Sequence, residues 1–279
     1  MFGTDAVLKV IKQQTTHNFR NQPVTAYLTD SKIKLEITPS MCPETFLEMY
    51  KKRQPIALQT IENSLSHNGF PLANLGICIA LELEMPNGRR FAVFTRRGEQ
   101  QNCLALISGY WDISSDPTPD DCARRELLEE FLIFDKSQEK FLTPQGFDFP
   151  YKECPNNTST TWTLKPTSNS VSWVPSAQLQ TLGITKSHIY IDPSTSSAQV
   201  VYGYYAKFSA LENLSICHAE DQPDEHGNMV TSIRNGAIIL LEITNQHLSH
   251  NTYALEDGKL TLVNLPNDTN HRGMKVGII

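Results

Sequence analysis

The stretch LGICIALELEMPNGRRFAVFTRRG, residues 75–98, leaves the chain little choice about how its core begins. Two β-rich runs flank Pro86-Asn87-Gly88, and turn residues between such runs signal a hairpin. CLALISGYWDI (103–113) reads as a further strand, SHIYIDPSTSSAQVVYGYYAKFSA (187–210) as a second hairpin, and GAIILLEI (236–243) as a last buried strand. Between the hairpins, TPDDCARRELLEEFLI (118–133) reads as a helix, with Thr118 as N-cap, Pro119 at the first helical position, and Asp120 and Asp121 at the positive end of the dipole. Strands interleaved with helices give an α/β class, a mixed sheet flanked by helices.

The flanking segments carry weaker patterns. Residues 1 to about 25 read as a short amphipathic helix (Val7, Leu8, Val10, Ile11) and a polar connector. SKIKLEITPS (31–40) alternates Ile33, Leu35 and Ile37 with polar neighbours, which is strand periodicity. Residues 43–70 read as helix, opened by Pro43, divided by Pro55 and closed before Gly69. Residues 143–173, rich in Pro, Asn, Thr and Ser, read as loops or irregular strands, AEDQPDEHGN (219–228) as an acidic loop, and residues 244–265 as a short helix with trailing structure. The expected organisation is an extension or small α+β domain over 1–70, a main domain over 71–250, and a tail over 251–279 that packs on the core.

Composition narrows the function classes. A net charge of -6 argues against a nucleic-acid partner, because phosphate backbones select basic stripes. It leaves room for small phosphorylated ligands whose charge a divalent metal balances. The six cysteines, Cys42, Cys78, Cys103, Cys122, Cys154 and Cys217, have no zinc-site spacing, and in a chain of 279 residues reduced thiols are expected. No apolar run is long enough to span a bilayer and the N-terminus lacks a signal-peptide core, so the expectation is a cytoplasmic protein without membrane partners.

The chemistry concentrates in RRELLEEF (124–131). On a helix, Glu126, Glu129 and Glu130 share a face, with Arg125 one turn before Glu129, while Ala123, Leu127 and Phe131 point to the sheet. Carboxylates so close repel one another unless solvent, Arg125 or a hard cation offsets their charge, and Mg²⁺ takes such oxygen ligands. A solvated charged face is the competing reading.

These residues resemble the signature of the Nudix hydrolases, G-x5-E-x7-R-E-U-x-E-E-x-G-U, where U is a bulky aliphatic. RELLEEFLI matches it at Arg125, Glu126, Leu127, Glu129, Glu130 and Ile133; upstream, ISGYWDISSDPTPDDC resembles the family's glycine loop and helix entry, and AVFTRRG its preceding strand. The chain departs from the pattern at Leu132, where the family has glycine, and at Ser108-Gly109-Tyr110 in place of Pro-Gly-Gly; Asp116 is the nearest acid to the first signature glutamate. The resemblance implies a Nudix-type α/β/α sandwich and hydrolysis of a nucleoside diphosphate derivative, ADP-ribose or a nucleotide sugar ahead of dinucleoside polyphosphates. It implies Mg²⁺, with Mn²⁺ as substitute, on Glu126, Glu129 and Glu130. Arg125 would orient Glu129, a general base would come from the signature helix or from Glu220 or Glu225, and Arg96, Arg97 and Gly109 would meet substrate. A homodimer is expected by analogy. The alternative is a Nudix-fold sensor that binds a nucleotide without cleaving it, and a further reading makes residues 1–70 and 144–176 a partner-binding surface.

Overall fold

A computed structural model describes residues 7–12, 18–29, 32–37, 42–97, 103–167, 188–245, 247–265 and 270–271. In chain order the elements are β1 (Val7–Lys12), β2 (Val24–Thr29), β3 (Lys32–Ile37), α1 (Phe46–Lys52), α2 (Leu58–His67), β4 (Phe70–Pro71), β5 (Leu75–Glu84), β6 (Arg90–Arg97), β7 (Cys103–Ala105) and β8 (Ile107–Tyr110). There follow α3 (Pro119–Glu130), β9 (Leu132–Asp135), β10 (Lys140–Pro144), β11 (Asn156–Ser159), β12 (Trp162–Pro166), β13 (His188–Asp192) and β14 (Ser197–Phe208). The chain then runs through β15 (Leu214–Pro223), β16 (Met229–Asn235), β17 (Ile238–Thr244), β18 (His247–Glu256), β19 (Lys259–Leu262) and β20 (Asn270–His271). The class is mixed α/β, dominated by strands, with three helices among the described residues.

β5 is the axis of an eleven-stranded mixed sheet that runs β12-β14-β5-β6-β17-β18-β19, with β7, β8, β13 and β20 attached to it. It lies parallel to β14 over its whole length, Leu75 opposite Ala198 and Glu84 opposite Lys207. Its near-continuous apolar run follows from burial on both faces. Leu75, Ile77, Ile79, Leu81 and Leu83 enter the main core, while Cys78 and Ala80 enter a second apolar cluster with Ala92, Phe94 and Ile239. A six-stranded sheet, β1-β16-β15-β9-β10-β11, supplies Ile133, Leu142, Leu214 and Ile216 to the main core, and a three-stranded sheet, β3-β2-β4, supplies Val24, Ala26, Ile33 and Leu35. α3 packs on β5 and β8 of the large sheet and on β15 of the six-stranded one. Its Cys122, Ala123 and Leu127 join the main core.

Several expectations hold locally. The β5–β6 turn closes where Pro86-Asn87-Gly88 stands, Gly88 adopting φ +81°. Residues 43–70 form two helices separated around Pro55, with Gly69 at φ +80° after the second. Other expectations are corrected. The segment around Val7, Leu8, Val10 and Ile11 is the strand β1, paired antiparallel with β16, which buries Ile11 and leaves Val7 and Val10 exposed. Its i, i+3, i+4 spacing mimics a helix, but the ladder supplied by β16 decides the outcome. The acidic stretch from Ala219 to Pro223 continues β15; only Asp224–Asn228 forms the turn, where Asp224 Oδ1 accepts from the His226 and Asn228 N–H groups.

The described residues of 244–265 form no helix. They are β18 and β19, joined by Asp257 and Gly258 at φ +48° and +78°, the backbone of a tight primed hairpin turn. The expected band CLALISGYWDI is divided into β7 and β8, which pair with β6 and β5 respectively. Residues 168–187, including Trp173, lie outside the described residues. No described helix is long and apolar enough to cross a membrane.

Phe131 ties these layers together at the end of α3. It is 2% exposed and meets Trp162 edge-to-face at 6.0 Å, and Trp162 in turn stacks on Phe208. Phe131→Ala is expected to lower the unfolding free energy by about 3–5 kcal/mol, as a cavity in a packed core does, measured by urea denaturation. Leu262→Ala, on an exposed strand, is the reference and should change it by less than about 0.5 kcal/mol.

Candidate active site

The residues that position the carboxylates begin upstream of the helix. After β8, Asp112 organises the loop: its Oδ1 accepts from the Ser114 N–H at 3.0 Å, the Ser114 hydroxyl at 2.7 Å and the Arg20 N–H at 2.9 Å. The Asp116 N–H donates to the Asp112 carbonyl at 2.8 Å, and Trp111 Nε1 donates to the Asp116 carbonyl at 3.0 Å. These bonds fix Asp116, a buried carboxylate, beside the first turns of α3. The helix starts where Thr118 and Asp121 cap reciprocally, Thr118 Oγ1 accepting from the Asp121 N–H and the Asp121 carboxylate accepting from the Thr118 N–H.

Arg125 gathers the acids. Its Nε and Nη2 form a fork on Asp116, at 3.0 Å to Oδ1 and 2.9 Å to Oδ2. Nη1 donates to Glu129 Oε2 at 2.7 Å, one turn along the helix, and Nη2 lies 2.9 Å from Glu126 Oε1. Burial alone would lower the Arg125 pKa, but Asp116, Glu126 and Glu129 outweigh it and hold the guanidinium charged. Glu126 lies against the backbone of Gly109: a Cβ at that position would sit 2.0 Å from the Glu126 Cδ. Only glycine lets the carboxylate approach the strand so closely.

At its C-terminal end α3 needs no glycine. Phe131 caps it in an extended conformation, φ -111° and ψ 99°, and the chain passes directly into β9 at Leu132. Two side chains approach the last carbonyls. The Tyr151 hydroxyl donates to the Glu129 carbonyl at 3.1 Å, and His218 Nδ1 donates to the Glu130 carbonyl at 3.2 Å. Both satisfy acceptors that a helix end leaves open. Burial raises the Tyr151 pKa, and the charges of Glu129, Asp221, Glu130 and Glu126 raise it further, so this hydroxyl stays protonated among four acids.

Glu129 carries a perturbed carboxyl. Burial pushes its pKa from 4.5 up to about 7; Arg125 pulls against that shift and Glu126 adds to it. The same side chain is 33% exposed, so water still reaches it.

The structure thus brings Arg125, Glu126, Glu129 and Gly109 together, with Glu130 next on the helix. Glu225 stands apart, 86% exposed in the β15–β16 turn, where its carboxylate lies 3.5 Å from His226 Nε2. Asp221, four residues earlier on β15, is the acid of that region whose charge reaches Tyr151; Glu220, its neighbour, is exposed. Arg96 is half-buried on β6, and the Arg97 side chain lies outside the described residues. Trp111 and Trp162 are core residues, each donating its indole N–H to a backbone carbonyl. The sequence carries no sign of the His218 role; for Asp112, the D-x-S-S pattern of an Asx-type turn is the available signal.

The donor set of Glu126, Glu129 and Glu130 is hard oxygen, the kind Mg²⁺ prefers. Among the described residues no group of three or more His, Cys, Asp or Glu side chains is arranged to hold a metal ion, and Arg125 draws one oxygen each of Glu126 and Glu129 to itself. No protein-family model matches the chain, and no curated protein matches it.

The Glu129 shift has a consequence for stability. Its folded-state pKa is above the unfolded one, so the folded state keeps a proton that the unfolded state releases, and stability falls as pH rises from about 4.5 to about 7. Melting curves over that window, in buffer containing a chelator, should show the wild type losing stability relative to Glu129→Gln as pH increases. Parallel curves for the two proteins would show that Glu129 titrates normally.

Proposed function

We propose that the chain is a metal-dependent Nudix-type hydrolase that cleaves the diphosphate linkage of a nucleoside diphosphate derivative, with ADP-ribose or a nucleotide sugar as the favoured class. The observation that carries this reading is the Arg125 cluster: one guanidinium, locked on buried Asp116, holds Glu126 and Glu129 on a single helix face beside Glu130. The mixed sheet with α3 packed on β5 and β8 supports a variant of the Nudix sandwich.

In this reading Glu126, Glu129 and Glu130 would hold Mg²⁺ or Mn²⁺, and the cation would supply charge neutralisation at the diphosphate and activation of the attacking water. Arg125 orients Glu129 through the 2.7 Å contact. Gly109 gives Glu126 its place against β8. Tyr151 and His218 hold the backbone of the two terminal glutamates, so that their carboxylates are presented from a fixed helix end. Positioning and electrostatics of this kind carry most of phosphoryl chemistry.

A second reading is a nucleotide sensor without turnover. It is favoured by the same guanidinium, which already offsets part of the carboxylate charge without a cation.

The test is product formation by liquid chromatography from a panel of ADP-ribose, UDP- and GDP-sugars, NADH and diadenosine polyphosphates, with Mg²⁺ or Mn²⁺. Wild type is expected to cleave at least one compound, and a Glu129→Gln, Glu130→Gln double variant to lose roughly 10²-fold or more of that rate. Absence of turnover, together with a nucleotide that raises the melting temperature, would replace the hydrolase by the sensor.

A further inference from the structure

We propose that the exposed rings of Phe46 and Tyr50, with the Arg53 guanidinium behind them, form a stacking platform for the nucleobase of the substrate. The inference rests on the diphosphate-hydrolase reading and places the half of the substrate that the carboxylate helix does not address.

The platform is built on α1. A reciprocal cap between Thr45 and Glu48 starts this helix, and Met49 anchors its inner side in the protein. Its outer side is apolar where solvent would favour polar residues: Phe46 is 46%, Leu47 61% and Tyr50 56% exposed. The Phe46 and Tyr50 rings lie nearly parallel, 23° apart with centroids at 5.9 Å. Phe19 and Tyr110 hold Phe46 from its edges at 5.6 and 6.1 Å, and Phe19 also meets Tyr110 at 6.3 Å. Arg53 lies over both tyrosines, 5.8 Å from the Tyr50 centroid and 5.3 Å from that of Tyr110, and donates to the Tyr110 hydroxyl. Its Nε is buried without a hydrogen-bond partner.

This aromatic group is continuous with the carboxylate site. Tyr110 follows Gly109, the residue against which Glu126 lies, and its carbonyl accepts from the Cys122 thiol of α3. Phe19 precedes Arg20, whose N–H and carbonyl are bonded to Asp112 and Ile113 in the loop that carries Asp116. Consecutive strand residues project to opposite sides, so Gly109 and Tyr110 put the acids on one side of β8 and the rings on the other. β8 pairs only with β5 among the described strands. A nucleoside diphosphate lying across the end of this strand would set its phosphates at α3 and its base on Phe46 and Tyr50.

Aromatic rings stack on any base, and a guanidinium close to the rings adds attraction for an electron-rich ring and for its phosphate. That chemistry selects a planar heterocycle joined to an anion.

Calorimetric titration of the full chain with ADP and with pyrophosphate, each in Mg²⁺, tests the proposal. A Phe46→Ala, Tyr50→Ala double variant should bind ADP about tenfold more weakly, the loss of one base stack, and bind pyrophosphate as wild type does. Unchanged ADP affinity would overturn the platform while leaving the hydrolase reading intact, and equal weakening of ADP and pyrophosphate would overturn it as well. Wild type that binds neither ligand would overturn the hydrolase reading and the platform together. Should the double variant not fold, Tyr50→Ala alone gives the same comparison. Sedimentation velocity separates the other occupant: a wild-type dimer dissociated by the substitutions, with ADP affinity unchanged, would make this surface a subunit contact and overturn the proposal.

Discussion

The fork between Arg125 and Asp116 is the contact on which the candidate site depends. Three acids converge on one guanidinium, and without it their repulsion would oppose the helix that carries two of them. Asp116 fixes the cation from outside the helix, so Arg125 is not a mobile surface charge. Truncating one member of such a half-buried group leaves the others uncompensated, which is why it acts as a unit. The loop that delivers Asp116 is itself held by Asp112 and Trp111, so the electrostatic arrangement of α3 is decided by residues that precede it.

That dependence explains what was legible in the sequence and what was not. The helix was readable because its signals are local: Thr118, Pro119 and Asp121 at the start, and glutamates at helical spacing after them. The β5–β6 hairpin was readable for the same reason. The two donors at the end of α3 were not, since Tyr151 lies 22 residues from Glu129 and His218 lies 88 from Glu130. The manner in which the helix ends was not readable from Leu132; an extended cap at Phe131 leads straight into β9 and makes glycine unnecessary there. At the two ends of the chain, pattern reading was overridden by pairing. β1 took its conformation from β16, and the Asp257-Gly258 turn, a local hairpin signal, outweighed the helical reading of its surroundings.

The site also shows how one backbone position can serve two chemistries. Gly109 lacks a side chain so that Glu126 can lie against the strand, while the next residue, Tyr110, anchors an aromatic group through Phe19, Phe46 and Arg53. The charged and apolar surfaces are therefore registered to each other through a single peptide unit, with no flexible segment between them.

The pairing of β5 with β14 carries a consequence for how the molecule is made. Residues 75–84 find their parallel partner only at residues 198–207, and β1 finds its own only at 230–234. During synthesis this long, buried strand emerges well before the strand that covers its edge, and such distant pairings form slowly. The growing chain therefore passes through a long interval with β5 lacking that neighbour, and β1 likewise waits for β16.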